Sequence, residues 1–222
     1  CSNNRGIFTN NLVDTNSVFT AIANVGTIQN NSCVNGSSLS ADTLPLGASI
    51  IRNSLIDNGR LQATSFTSAC IENSISGDSE INISAASGLI TGNTLADQSE
   101  IQAATSAALS IQLNRLSAVS IINTQTATGG TIASNVLEQT SSINANSIQA
   151  SGNITMNHLT INSLINATNT RGAITNNGLK DTCTIENNFG GSNSDIDHNL
   201  LFQESTIETS NNNNQVKNNR LE

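Results

Sequence analysis

One phrase recurs eleven times along this chain: an apolar residue, two free positions, an asparagine, one free position and a second apolar residue. It reads Ile7-Asn10-Leu12, Ile28-Asn31-Cys33, Ile50-Asn53-Leu55, Cys70-Asn73-Ile75, Ile90-Asn93-Leu95 and Ile111-Asn114-Leu116, then Ile132-Asn135-Leu137, Ile154-Asn157-Leu159, Ile174-Asn177-Leu179, Ile196-Asn199-Leu201 and Val216-Asn219-Leu221. Successive asparagines fall 20 to 22 residues apart. A fixed period of this size marks a solenoid, in which a unit unable to bury its apolar face alone stacks on the one before. The repeat is unbroken from Ile7 to Leu221, so residues 1–222 are read as a single domain.

Six residues after the Leu slot comes another apolar position: Val18, Leu39, Leu61, Ile81, Ile101, Ile143, Ile165, Ile185 and Ile207, with Ile121 one residue early. Two residues before it sits a small residue, as at Ser37, Ser79, Ser99, Ser141, Ser163, Cys183 and Ser205. Inward positions alternate within each piece, which is strand periodicity. The asparagine interrupts the alternation and is expected to turn the chain between two short strands, since Asn tolerates a left-handed backbone. Beyond the last apolar slot some coils add Phe66, Ile148 or Phe189, and others run polar. This arc is the variable side.

Stacking places like residues over like at about 4.8 Å, so eleven coils make a rod of roughly 50 Å. The asparagine amides then hydrogen-bond along the axis. A buried amide without partners is costly, so the row from Asn10 to Asn219 must be continuous. Pro45, the sole proline, lies in the long insertion between coils two and three, away from strands, as its missing donor requires.

This pattern resembles the right-handed parallel β-helix repeat of the pectin-lyase-like superfamily, which shows a similar Ile-x-x-Asn-x-Ile/Leu phrase and an internal asparagine ladder. The resemblance covers nearly the whole chain. It implies an all-β, single-stranded parallel β-helix, and the right hand comes from the resemblance alone. A left-handed hexapeptide helix would need strict sixes, which are absent. A pentapeptide-repeat helix, the runner-up, would need a strict coil of fives, whereas coil length here drifts.

Composition narrows the function. Five Phe and no Tyr or Trp suit a core of stacked aliphatic residues. Net charge is −8 with no Lys/Arg cluster, which argues against nucleic-acid binding. No apolar run reaches transmembrane length. Cys33, Cys70 and Cys183 occupy different inward stacks on non-adjacent coils, so they are read as buried thiols rather than disulfide partners; Cys1 precedes the first coil.

The enzymes of the resembled superfamily use outward acidic clusters, often with calcium and a basic residue. Here Asp195 and Asp197 flank Ile196 and point outward, followed by His198. Glu186 and Glu208 share an outward slot on adjacent coils, near 5 Å apart by coil spacing. Such carboxylates can serve glycoside hydrolysis or hold Ca2+. Solvated surface acids are the plainer reading, since Lys180 and Lys217 are expected at other angular positions. Arg60, Glu80 and Glu100 form a second outward column, read as a surface ion pair of small value. His158 points outward alone and is not expected to bind metal. Thr-x-Thr does not recur in one column, which speaks against ice binding.

Neither end of the repeat supplies a cap, so the chain is expected either to be part of a longer one or to pack on other subunits through its coil ends. The expected function is a non-enzymatic structural or adhesive module of an extracellular, cell-surface or virion-surface fibre, self-associating or contacting surface polysaccharide. A carbohydrate-active or carbohydrate-binding β-helix is the alternative, and an ice-binding solenoid the second alternative.

Overall fold

The computed structural model describes residues 7–21, 26–41, 48–64, 69–84, 88–103, 106–107, 110–124, 127–128, 130–146, 152–168, 172–187, 195–209 and 215–222. Cys1, Pro45, Phe66, Ile148 and Phe189 lie outside these residues. The regular structure described is all strand, wound into a parallel β-solenoid of three long sheets. The first sheet stacks eleven strands, from Phe8–Thr9 to Gln215–Lys217, and carries the Ile slot. The second stacks eleven more, from Leu12–Val13 to Arg220–Leu221, and carries the Leu slot. The third stacks ten, from Val18–Ala21 to Thr206–Thr209. A short side sheet pairs Ser106–Ala107 with Ala127–Thr128.

Each strand pairs in parallel with its counterparts one coil away, and the register holds each apolar slot over itself. Ile90 lies between Cys70 and Ile111, and Leu116 between Leu95 and Leu137. Period-two alternation then decides burial: inward Ile101 and Ala103 are buried, while Glu100 and Gln102 are only half-buried. The core is one continuous cluster running the length of the rod. A fully buried Ile or Leu contributes about 1.5–3 kcal/mol, and every coil adds several. The small slot is buried as expected, Cys183 included. Its serines tie coils together, as when Ser99 Oγ donates to Ile75 O at 3.0 Å and Ser141 Oγ to Leu116 O at 3.2 Å.

The two corners of the coil are built from left-handed residues, and here the sequence reading needs correction. The ladder asparagine is not the left-handed residue at the first corner; its predecessor is. Arg52, Glu72, Leu113, Met156 and His198 all have φ between 52° and 55°. The physical reason is that the ladder side chain must point inward. The break in alternation therefore falls one residue earlier, on a residue that can face solvent. The second corner uses two left-handed residues in succession, such as Asp57 and Asn58 or Ala118 and Val119. Left-handed backbone costs a non-glycine residue about 1–2 kcal/mol. Stacked backbone hydrogen bonds such as Glu72 N–H to Thr91 O, 3.0 Å, and Val119 N–H to Gln139 O, 3.1 Å, hold these corners in place.

Coil one is shifted by one residue from the sequence reading. Phe8 pairs with Ile28 and Val13 with Cys33, so the inward set is Phe8, Asn11, Val13 and Phe19 rather than Ile7, Asn10, Leu12 and Val18. Ile7 and Leu12 are 60% and 69% exposed, against 7% and 6% for Phe8 and Val13. A one-residue slip turns every side chain to the other face of a strand. Both settings satisfy the repeat phrase, and the chosen one also brings the rings of Phe8 and Phe19 to 4.2 Å between centroids. In coil six the third apolar slot is filled on schedule by Ile122, which is buried and pairs with Ile101 and Ile143; Ile121 faces outward.

Candidate functional site

The interior asparagines form the ladder that the repeat predicted, with Asn11 in the place assigned to Asn10. From Asn31 to Asn199 they are buried. Each Oδ1 accepts two hydrogen bonds from the asparagine one coil before it. Asn93, for example, donates to Asn114 Oδ1 from its backbone N–H at 3.0 Å and from Nδ2 at 2.9 Å. The second Nδ2 proton goes back to the Ile-slot carbonyl of the preceding coil, as from Asn114 to Ile90 O at 3.0 Å. Every amide from Asn31 to Asn199 is thereby satisfied, which is what permits a polar row inside an apolar core. Asn10 is exposed at φ 58° and takes the left-handed corner position.

The four outward acids singled out from the sequence form two pairs on different sheets. Glu186 and Glu208 are register partners in the third sheet. Asp195 and Asp197 lie on one strand of the first sheet, on either side of buried Ile196. Asp197 is the better anchored. Its Oδ1 accepts from Asn218 Nδ2 at 2.9 Å and lies 3.0 Å from His198 Nδ1. Desolvation acts to raise its carboxyl, but the Asn218 hydrogen bond and the adjoining His198 outweigh it and hold the group below the usual carboxylate range. Lys217 does not sit at another angle, as the sequence reading had it. It pairs directly with Asp197, because Val216 stacks under Ile196 and carries its neighbour into the same column. Among the described residues, no three His, Cys, Asp or Glu side chains come together as a metal-binding group.

Arg60, Glu80 and Glu100 do stack in register in the third sheet. The expected ion pair is not formed: Glu80 Oε1 instead accepts from Asn82 Nδ2 at 3.1 Å. Exposed ion pairs occur elsewhere, at Arg52–Glu72 (2.7 Å) and Arg115–Glu138 (2.8 Å). Burial raises the Glu100 carboxyl, the Asn123 hydrogen bond opposes this, and Glu80 adds to it. A polar groove of about 430 Å³ opens beside this column, where Gly36 and Ser38 are small and Asn58, Arg60, Glu80 and Asn82 are not.

The sequence reading missed one regular feature. The outward position after the third apolar slot is an amide on six consecutive coils: Gln62, Asn82, Gln102, Asn123, Asn144 and Asn166. Asn82 Nδ2 donates to Gln102 Oε1 at 2.9 Å, the outside counterpart of an interior rung. The signal was present in the sequence, one residue past each third apolar slot from Leu61 to Ile165, but the overall abundance of Asn concealed it.

The three thiols described, Cys33, Cys70 and Cys183, are free and buried, as their inward slots required. Burial pushes Cys33 up to about 11 and Cys70 to about 12. No helix among the described residues is long and apolar enough to cross a membrane. No protein-family model, curated protein or solved structure matches the chain. What stands is a parallel β-solenoid repeat with an internal asparagine ladder.

Proposed function

We propose that this chain is a non-enzymatic structural or adhesive β-helix module of an extracellular, cell-surface or viral fibre or assembly, of the right-handed kind that its repeat resembles. The observation that supports this reading is the ladder, which passes from Asn11 to Asn219 through every coil without a gap. Inner rows that never lose register make a stiff, straight element, and stiffness is what a spacer or a fibre shaft needs. The outward strand positions are largely Ser, Thr, Asn and Gln, a hydrated surface of low charge.

Contact with other β-coils, whether of the same chain or of another subunit, belongs to this proposal. Val216 and Leu221 on the last coil are exposed, and with Ile196, Leu201 and Ile207 they border an apolar cavity of about 230 Å³. A further coil laid there would cover it. Surface polysaccharide is the proposed adhesive target. Antibodies raised against the folded rod should label intact cells or particles of the source. Labelling confined to the interior would overturn the reading.

The second reading is a carbohydrate-active or cation-binding surface, favoured by the direct stacking of Glu186 on Glu208. Incubation with acidic polysaccharides, with and without Ca2+, distinguishes the two. Release of reducing ends or unsaturated products that is lost in Glu186→Gln would select this reading.

A further inference from the structure

We propose that the outward face of the third sheet pairs with the same face of a second copy of this chain. The rods run antiparallel about a two-fold axis that passes through the coil of Asn123. The proposal goes beyond the module reading and does not rest on it, since the rod would serve as a spacer with this face bare.

The amide column carries the argument. A primary amide bears both donors and acceptors. A row of them is therefore complementary to itself, and no charge interrupts the six coils from Gln62 to Asn166 in that column. Stacked Asn and Gln rows are among the features that hold paired sheets face to face. Parallel register fixes the rungs at about 4.8 Å in both copies, so the spacing matches automatically.

The charges choose the alignment. With the axis at Asn123, reversal sets Gln102 against Asn144, Asn82 against Asn166, Gln62 against Glu186 and Ser40 against Glu208, an order that follows from the strand pairing. In the companion column Ile121 meets Ile121, Glu100 meets Ser142, Glu80 meets Leu164 and Arg60 meets Thr184. No carboxylate faces a carboxylate. Arg60, which has no ion pair within its own protomer among the described residues, comes level with Glu186 of the other copy, one position across the strand. The symmetry makes this pair twice. Nine of the ten strands of each copy overlap in this alignment; at the coil spacing, and with about 14 Å of width each, they give a strip of about 600 Å² per copy. That is the low end for a specific interface, so the dimer is weak and concentration-dependent.

Crosslinking of the full chain tests this. In a Cys1→Ser background the described native thiols are buried, and Asn123→Cys places a single outward thiol on the axis. A bis-maleimide spanning the roughly 10 Å between packed sheets should capture a dimer whose yield rises with protein concentration. Asn82→Cys alone should give none, because its two copies lie roughly 19 Å apart, four coil spacings. Asn82→Cys mixed with Asn166→Cys should. Ser54→Cys, outward on the second sheet, is the negative control. Sedimentation equilibrium should show the dissociation constant rising roughly tenfold or more in Asn123→Arg, where the two introduced charges meet across the axis. Circular dichroism confirms that each variant is folded. A chain monomeric at all concentrations, equal crosslinking at Ser54→Cys, or Asn82→Cys crosslinking to itself overturns the pairing.

Discussion

Asn114 and Asn135 are joined twice: the backbone N–H and the side-chain Nδ2 of Asn114 both donate to Asn135 Oδ1, each at 3.0 Å. One oxygen therefore serves two donors, and removing any rung strands the pair of donors behind it.

Asn114→Leu is accordingly expected to destabilise the rod by about 2–6 kcal/mol, at roughly 1–3 kcal/mol for each of the two Asn93 donors left without Asn114 Oδ1. Asn10→Gly should change stability by less than about 0.5 kcal/mol, since the residue is exposed at φ 58° and stands outside the ladder. Denaturant melts of the two variants side by side check both values. Equal losses would mean that the first coil is registered on Asn10.

Val119 is β-branched and left-handed, with φ at 67° and its side chain half exposed. Asn tolerates that conformation far better, at no extra cost in backbone entropy. Val119→Asn should therefore stabilise by about 0.5–1 kcal/mol, a fraction of the left-handed penalty. A raised midpoint in thermal unfolding is the expected result.

Gly59 replaces serine in the small slot of coil three because the chain passes too close there. A Cβ at this position would sit 2.2 Å from the Cys33 carbonyl oxygen. Gly59→Ala should cost about 1–3 kcal/mol as the two coils are forced apart. Gly92→Ala meets nothing nearer than the Glu72 side chain at 3.4 Å, but it incurs the left-handed cost at φ 65°, so it should lose about 1–2 kcal/mol by a different route. Combining Gly92→Ala with Glu72→Ala should leave that loss in place.

The buried thiols make stability fall at high pH. Burial raises Cys33 and Cys70 from an ordinary 9.0 to about 11 and about 12. Above pH 9 the unfolded chain sheds these protons while the folded chain keeps them, so the unfolded state binds fewer and stability drops as pH rises. The stabilising contribution is whole below about pH 9 and declines between 9 and 11–12. Unfolding midpoints measured across pH 8–11 should decline less in Cys70→Val than in the parent chain.

Sequence patterning reveals most of this architecture because every coil repeats the same inward choices. Ile, Asn and Leu recur on a fixed frame, and stacking turns that frame into three sheets. Coil one escaped because Ile7-Asn10-Leu12 and Phe8-Asn11-Val13 satisfy one phrase equally, and only contact with the next coil separates them. The left-handed corner was misplaced by one residue because Arg, Leu and Met carry no turn signature. They are tolerated where cross-coil hydrogen bonds fix the backbone. Of the outward acids, the stacking of Glu186 on Glu208 was legible as a shared slot. The assignment of Asp195 and Asp197 to a different sheet was less so, since the two pairs are close in sequence. The Asp197–Lys217 pairing was missed because it depends on which neighbour follows the slot, and a pattern of slots alone does not track that.

Every rung of the ladder points the same way, donating toward higher residue numbers from Asn11 onward. Eleven aligned amide dipoles, joined by ten rungs, give the rod a head and a tail that are chemically unlike, one offering oxygen and the other nitrogen. A filament of single rods stacked end to end would inherit that arrow, growing as a vectorial polymer with two distinguishable tips, whereas side-by-side antiparallel pairing of rods would cancel it.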